Sequence, residues 1–278
     1  MAYKFQPDKM YRMPTHFGPL MGPRQGPDGR KFECVDNPKN TSISVSFLSN
    51  AEQLKALLPE CFELGEKPVV SVYANYMKEI EWLAGRGYNI LGVSFPAVFK
   101  GARDHVRGPF LSVLWENLCD PIITGREELG FSKIYCEMPE PRITSVEAQA
   151  VAGWLGFNFL DISVTNLRPK SEDPTPTKGG GAKVDGTLHY KYMPRTGVWG
   201  TEDIAYPVIT PAKGGHRKVE EHLVGDGCLT WNRARWEDLP TMYNIVNALA
   251  DLEIVEYLGG SLTRTVGGKD LSDQRILY

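Results

Sequence analysis

The sequence predicts a strand-rich protein with few helices, and three observations carry that prediction. The 278 residues include 28 glycines and 20 prolines, a density that favours many turns over long helices. Apolar and polar residues alternate in one short segment after another, which is the period-2 signature of half-buried strands. Helical periodicity is confined to two stretches.

The first strand is Thr41–Ser49 (TSISVSFLS), with Ile43, Val45 and Phe47 on one face and serines on the other. The same alternation marks Pro68–Tyr76, Asn89–Phe99, Phe110–Trp115, Phe131–Glu137, Phe157–Thr165, Thr187–Met193 and Asp203–Thr210. Ser49-Asn50-Ala51-Glu52 reads as a capping box that opens a helix over Glu52–Leu58, and Pro59 stops it. A second helix begins near Leu239-Pro240. It carries Met242, Ile245, Val246, Leu249, Leu252 and Val255 on its apolar face and ends at Gly259-Gly260. Residues 168–183 (RPKSEDPTPTKGGGAK) have no apolar periodicity. Because strand-like alternation resumes at Thr187, they are expected to be a surface loop within one domain spanning 1–278, not a linker.

Composition removes several function classes. Hydrophobic residues make 42% and charged residues 23%, an ordinary balance for a soluble domain. The longest apolar stretch, Val151–Leu160, is interrupted by Gly and Asn and falls short of the roughly 18 residues of a membrane span. The first residues contain no apolar core of the signal-peptide kind, so the expected compartment is cytoplasmic. Thirty-one basic residues against 34 acidic ones leave a net charge of −3 and no field to attract a nucleic acid. Five scattered cysteines without a C-x-x-C predict reduced thiols, with neither a disulfide framework nor a zinc knuckle.

Most motif-like segments fail on spacing. Lys178–Lys183 is glycine-rich but lacks the register that cradles phosphate. His216 and His222 are not spaced to share a metal from one helical turn, and no G-x-S-x-G elbow occurs. His189 and Lys191 alternate with Tyr190 and Tyr192, which predicts one wet and one buried face. The informative stretch is Glu116–Glu137 (ENLCDPIITGREELGFSKIYCE). A strand over Phe131–Glu137 puts Phe131, Lys133 and Tyr135 on one face, and an amine between two aromatics is a candidate for desolvation. The ordinary alternative is a lysine that lays its stem on apolar surface and keeps its ammonium wet.

Pro121, Gly125-Arg126-Glu127 and Phe131-Ser132-Lys133 together resemble the signature of the acetoacetate decarboxylase family. Weaker likenesses at Ser42–Pro59 and around Asp238-Leu239-Pro240 extend the resemblance over most of the chain. It implies an α+β fold, a single domain dominated by a large, mainly antiparallel, barrel-like sheet around the lysine. It also implies a homo-oligomer and a Schiff-base lysine, Lys133, needing no metal or other cofactor.

An ordinary lysine is protonated at pH 7 and cannot attack a ketone. Burial or a neighbouring cation lowers its pKa, and acetoacetate decarboxylase is itself an established example of this device. The implied substrate is a small oxo acid and the first reading a decarboxylase of a 3-oxo acid. Aldolase or dehydratase chemistry on 2-oxo acids, and a non-catalytic binding protein on the same fold, are the alternatives.

Glu127 is the candidate for proton transfer, with an ion pair to neighbouring structure as its alternative. By the resemblance, Arg30 matches the family's N-terminal active-site arginine, and Arg86 stands where its decarboxylases carry an acidic residue, which Glu79 or Glu81 reach only in a shifted alignment; both arginines are candidates for binding a substrate carboxylate, with a solvated loop charge as the alternative. Two departures from the family pattern stand out: Ile134 replaces a second lysine, and Ser132 replaces the proline before Lys133.

Overall fold

The computed structural model describes residues 4–172 and 184–278. Fourteen strands follow in chain order: β1 Lys39–Leu48, β2 Phe62–Leu64, β3 Val69–Ile80, β4 Arg86–Lys100, β5 His105–Glu116, β6 Lys133–Tyr135, β7 Arg142–Ile143, β8 Glu147–Trp154, β9 Phe157–Pro169, β10 Gly186–Pro194, β11 Glu202–Pro211, β12 Lys218–Trp231, β13 Glu256–Val266 and β14 Arg275–Ile276. Three short helices accompany them, α1 Ala51–Lys55, α2 Cys119–Thr124 and α3 Tyr243–Ala250. Each of the eight alternating segments holds a strand, although Phe131–Glu137 shrinks to the three residues of β6. The loop expected over 168–183 lies outside the described residues from 173 onward, and its first residues continue β9 and a 3-10 turn.

All strands join one sheet, in the order β14-β11-β10-β5-β4-β3-β1-β13-β12-β9-β8-β7, with β2 beside β4 and β6 beside β5. Its ladders are antiparallel except β10–β5 and β5–β6. The expected large, mainly antiparallel sheet is present, but it does not close as a barrel: β14 and β7 end the path without pairing to one another among the described residues.

Alternation places Ile43, Val45 and Phe47 in the core, together with Val70 and Val72 of β3, Leu91 and Phe95 of β4, and Trp115 of β5. On the opposite face of β1 the serines pair across strands, Ser44 with Ser261 at 2.9 Å and Ser46 with Ser71 at 3.0 Å. Their hydroxyls satisfy one another and need no apolar cover. Helix α3 closes the core through Val246 and Leu249, and the Trp115 indole nitrogen lies 3.3 Å from Met242 Sδ.

One irregularity decides where the site forms. The β4–β5 ladder runs Val93↔Val113 and then Ser94↔Leu111, so Ser112 bulges out and its hydroxyl donates to Val93 O at 2.9 Å. An extra residue resets the alternation of a strand. Phe110, Val113 and Trp115 therefore all reach the main core, while Leu111 and Leu114 are buried outside it on the other face. That second buried layer also holds Glu116, Lys133, His189 and Lys191, under a cover formed by residues 119–131.

Two helix expectations need correction. The cap of α1 is Asn50, whose side-chain oxygen accepts from Glu52 N at 2.9 Å and Gln53 N at 3.4 Å, whereas the Ser49 hydroxyl is buried without a partner. Asn50, one residue later, has the extended backbone a cap requires. The second helix is shorter than its periodicity suggests: α3 ends at Ala250, and Gly259-Gly260 lie inside β13. Gly259 has φ +105° at a register shift opposite Ser46 and Phe47, and its backbone approaches Gly227 so closely that a Cβ there would sit 2.7 Å away. These glycines permit close strand packing and do not terminate a helix.

Asn50→Ala is expected to cost about 1 kcal/mol in urea unfolding. Ser49→Ala should cost less than half as much, because it removes an unpartnered buried hydroxyl.

Candidate active site

Strand β6 lies parallel to the end of β5, with Leu114 opposite Lys133 and Glu116 opposite Tyr135. The Lys133 side chain runs beneath the one-turn π-helix Gly125–Leu129, and it fits there because residue 125 has no Cβ. A Cβ at Gly125 would stand 2.4 Å from Lys133 Cδ, 2.5 Å from Cε and 2.7 Å from Nζ. The ammonium end donates to Pro121 O at 3.0 Å and lies 2.8 Å from Glu116 Oε1. Arg126 Nη1 donates to the Lys133 carbonyl at 2.8 Å, and Phe131 N donates to Gly125 O at 3.0 Å. Each fixed position of the Pro121…Gly125-Arg126…Lys133 pattern thus has a job: an acceptor, a space and a backbone clamp.

Burial governs the charges. Glu116 is fully buried, and desolvation pushes its carboxyl up despite the nearby lysine. Desolvation likewise pushes the Lys133 amine down, Glu116 opposes that shift, and the Arg24 charge adds to it. Although Nζ and Oε1 are at ion-pair distance, the contact lacks hydrogen-bond alignment, and neither Glu116 oxygen has an aligned donor. Both members of the pair are therefore driven towards their neutral forms.

Tyr73 and Tyr88 keep their hydroxyl protons, because burial and the Glu116 charge raise both phenols. Tyr73 lies over Gly92, where a Cβ would meet its ring at 2.2 Å. His189 is fully buried in β10. Its Nε2 is 2.9 Å from Thr210 Oγ1, its Nδ1 has no partner, and its ring stands edge-on to Phe131 with centroids 4.2 Å apart. Burial, reinforced by Lys133, pushes this imidazole down to about 3. The Phe131 ring in turn lies 5.2 Å from Lys133 Nζ and lines a cavity of ≈ 310 Å³ with Val113, Arg126, Ile134, Tyr190 and Ile245.

An ion cluster holds the cover down. Arg12 and Arg24, from the N-terminal arm, both bind the Glu128 carboxylate, with Arg24 Nε at 3.0 Å, and Arg24 Nη1 donates to Asp270 O at 3.2 Å. Lys191 Nζ donates to the Glu127 carbonyl at 2.6 Å, and its stem packs against Gly130.

Of the four residues singled out in the sequence, Lys133 is the one placed in this layer beside a buried acid. Arg30 is exposed after the 3-10 turn Pro27–Gly29. Arg86 is exposed at the start of β4, its guanidinium 3.4 Å from Leu83 O. Glu127 engages Lys191 through its backbone carbonyl, and the acid beside Lys133 is Glu116. Sequence reasoning missed Glu116, Arg24 and His189. The available signals were a glutamate closing the apolar run of β5 and the alternation at 189–192, where the histidine and lysine enter the second buried layer and Tyr190 packs against the main core.

The structure is thus an open, mainly antiparallel sheet that carries a desolvated amine–carboxyl pair in its second buried layer. The family model described as acetoacetate decarboxylase (ADC) matches residues 12–271, and the chain belongs to that family. Solved structures similar to it include an acetoacetate decarboxylase (15% identity, TM-score 0.63, 87% of this chain and 90% of that one). The acetoacetate decarboxylase of Legionella pneumophila subsp. pneumophila is similar at 17% identity and TM-score 0.61, over 91% of this chain and 92% of that one. The enduracididine biosynthesis enzyme MppR with HEPES buffer bound is similar at 16% identity and TM-score 0.63, over 91% and 92%. No curated protein matches the chain significantly.

Two titrations check the electrostatics. Glu116→Gln removes the charge that favours protonated Lys133, so the Lys133 pKa read by NMR should fall further than in the wild type. His189 has an ordinary unfolded pKa near 6.5 and a folded value of about 3. Between these values only the unfolded chain takes up this proton, so stability should decline as pH falls from about 6.5 towards 3. His189→Asn should flatten that limb in pH-dependent unfolding.

Proposed function

We propose that the protein is a lyase that forms an iminium between Lys133 and a small oxo acid, and that it decarboxylates a 3-oxo acid. The observation that carries this reading is the buried Lys133 amine 2.8 Å from the buried Glu116 carboxyl, with burial driving both towards neutrality. A neutral amine is a nucleophile, and a neutral carboxylic acid beside it is a proton donor.

The steps follow from those two groups. The Lys133 lone pair forms the N–C bond, and the carbonyl oxygen takes the Glu116 proton. Glu116 then removes a proton from the nitrogen and passes it to the hydroxyl, which leaves as water. The products are the iminium and an ionised Glu116, now a close ion pair. Cleavage of the C–C bond beta to nitrogen sends its electron pair into the iminium and releases carbon dioxide. The enamine takes a proton from solvent at carbon, and hydrolysis returns the ketone and the amine.

Arg24 favours decarboxylation over chemistry that retains a carboxylate. Its Nε and Nη2 are engaged by Glu128 and its Nη1 by Asp270 O, so it contributes a field at Lys133 and not a free clamp. A substrate carboxylate facing the ionised Glu116 is destabilised until it departs as neutral carbon dioxide. Aldol condensation or dehydration on a 2-oxo acid is the second reading, suggested by MppR, which has been solved with the condensation product of pyruvate and imidazole 4-carboxaldehyde. We also propose a cytoplasmic homo-oligomer. Five free thiols support the compartment, and the fully exposed Trp199 beyond β10 supports self-association.

Borohydride reduction in the presence of a panel of 2- and 3-oxo acids, read by peptide mass spectrometry, tests the reading. The expected result is a reduced adduct on Lys133 with a 3-oxo acid, accompanied by carbon dioxide release. Lys133→Ala should lose at least about 10⁴-fold in turnover while remaining folded. No adduct from folded protein would overturn iminium chemistry, and an adduct with 2-oxo acids without carbon dioxide would assign the aldolase reading.

A further inference from the structure

We infer that His189 is a further catalytic residue: its Nδ1–H donates to the substrate carbonyl oxygen as Lys133 attacks. This rests on the lysine reading above. Three observations carry it. His189 is fully buried, yet Nδ1 has no hydrogen-bond partner, and an orphaned buried polar atom is a costly exception in a folded protein. The imidazole is in the layer of Lys133: one aromatic ring, Phe131, packs edge-on against His189 at 4.2 Å and lies 5.2 Å from Lys133 Nζ. The other ring nitrogen is held by Thr210 Oγ1 at 2.9 Å, which restrains the ring and leaves Nδ1 as the unengaged nitrogen.

The Thr210 contact is compatible with the tautomer this role requires. The Thr210 hydroxyl can donate to Nε2, which leaves the proton on Nδ1 as an unspent donor. A neutral imidazole is suited to this work, because it offers a hydrogen bond to a developing oxyanion without placing a second full positive charge beside the amine. As the N–C bond forms, the carbonyl π pair moves onto oxygen. The Nδ1–H stabilises that oxygen until it receives the Glu116 proton and leaves as water. His189 keeps its own proton throughout, so the step needs no further acid or base.

Asn and Gln separate the two nitrogens, since an Asn amide falls near Nδ1 and a Gln amide near Nε2. The rate of borohydride-trappable adduct formation on Lys133 is measured for the wild type, His189→Asn and His189→Gln with the best oxo acid. His189→Gln is expected to be slower by about 100-fold, as for loss of one oxyanion donor, while His189→Asn stays within about tenfold of the wild type. Equal rates for Gln and wild type, or a greater loss in Asn than in Gln, would overturn the inference and leave the lysine chemistry standing. A wild type that forms no adduct would overturn both. Nitrogen-15 NMR of the unmodified protein provides a test free of folding effects: a neutral Nδ1–H tautomer is expected for His189, and an Nε2–H tautomer would refute the donor assignment.

Discussion

An amine and a carboxyl held 2.8 Å apart in a layer from which water is nearly excluded impose their terms on everything around them. Ionised, the pair attracts but forfeits hydration; neutral, it avoids that loss but leaves polar atoms short of partners. Neither state is comfortable, so the surroundings must hold the groups in place by other means. Arg126 fixes the Lys133 backbone, the absent side chain of Gly125 gives the stem its channel, and Pro121 supplies the aligned acceptor. The remaining cost is borne by the apolar core on the far side of the sheet, where Trp115, Phe159 and their neighbours pack without any such conflict.

Division of the sheet into an apolar core face and a face that buries ionisable groups explains what the sequence could disclose. Period-2 alternation reports how often a residue is buried, and it located β1, β3, β4, β9 and β10. It does not report on which side of a bulge a strand lies. Ser112 shifts the alternation of β5, and nothing in FLSVLWE separates a glutamate that ends an edge strand from one carried into a dry layer. Similarly, the apolar spacing from Met242 to Val255 reads as one helix. In the folded chain the final residues turn to reach Leu48 O, and the glycines that resemble a helix stop enable two strands to pass closely.

Local motifs were legible and distant partners were not. The lysine and its supporting turn are contiguous from Pro121 to Lys133, so their likeness to a family pattern survives in a single line of text. Glu128 lies inside that text, but its arginines come from residues 12 and 24; His189 comes from β10, which neighbours β5 in space but lies far from it in sequence. No spacing rule joins such residues. Arg30 and Arg86 follow only from a loose alignment to the family pattern, and both are exposed. Arg24, equally charged and six residues before Arg30, is drawn inward because Glu128 gives it a partner.

The ties that close this layer also set an order of assembly. Arg24 donates to Asp270 O, and Gln274 Nε2 donates to Leu129 O at 2.8 Å, so the cover is fastened by segments separated by most of the polypeptide. During vectorial synthesis, Lys133 leaves the ribosome well before residues 270–274 exist. In that interval the nascent chain carries an ordinary, hydrated lysine and an ordinary glutamate. Desolvation of this pair is therefore a late event in the protein's life. The burial that pushes the Lys133 amine down is complete only after the segments that fasten the cover have been made.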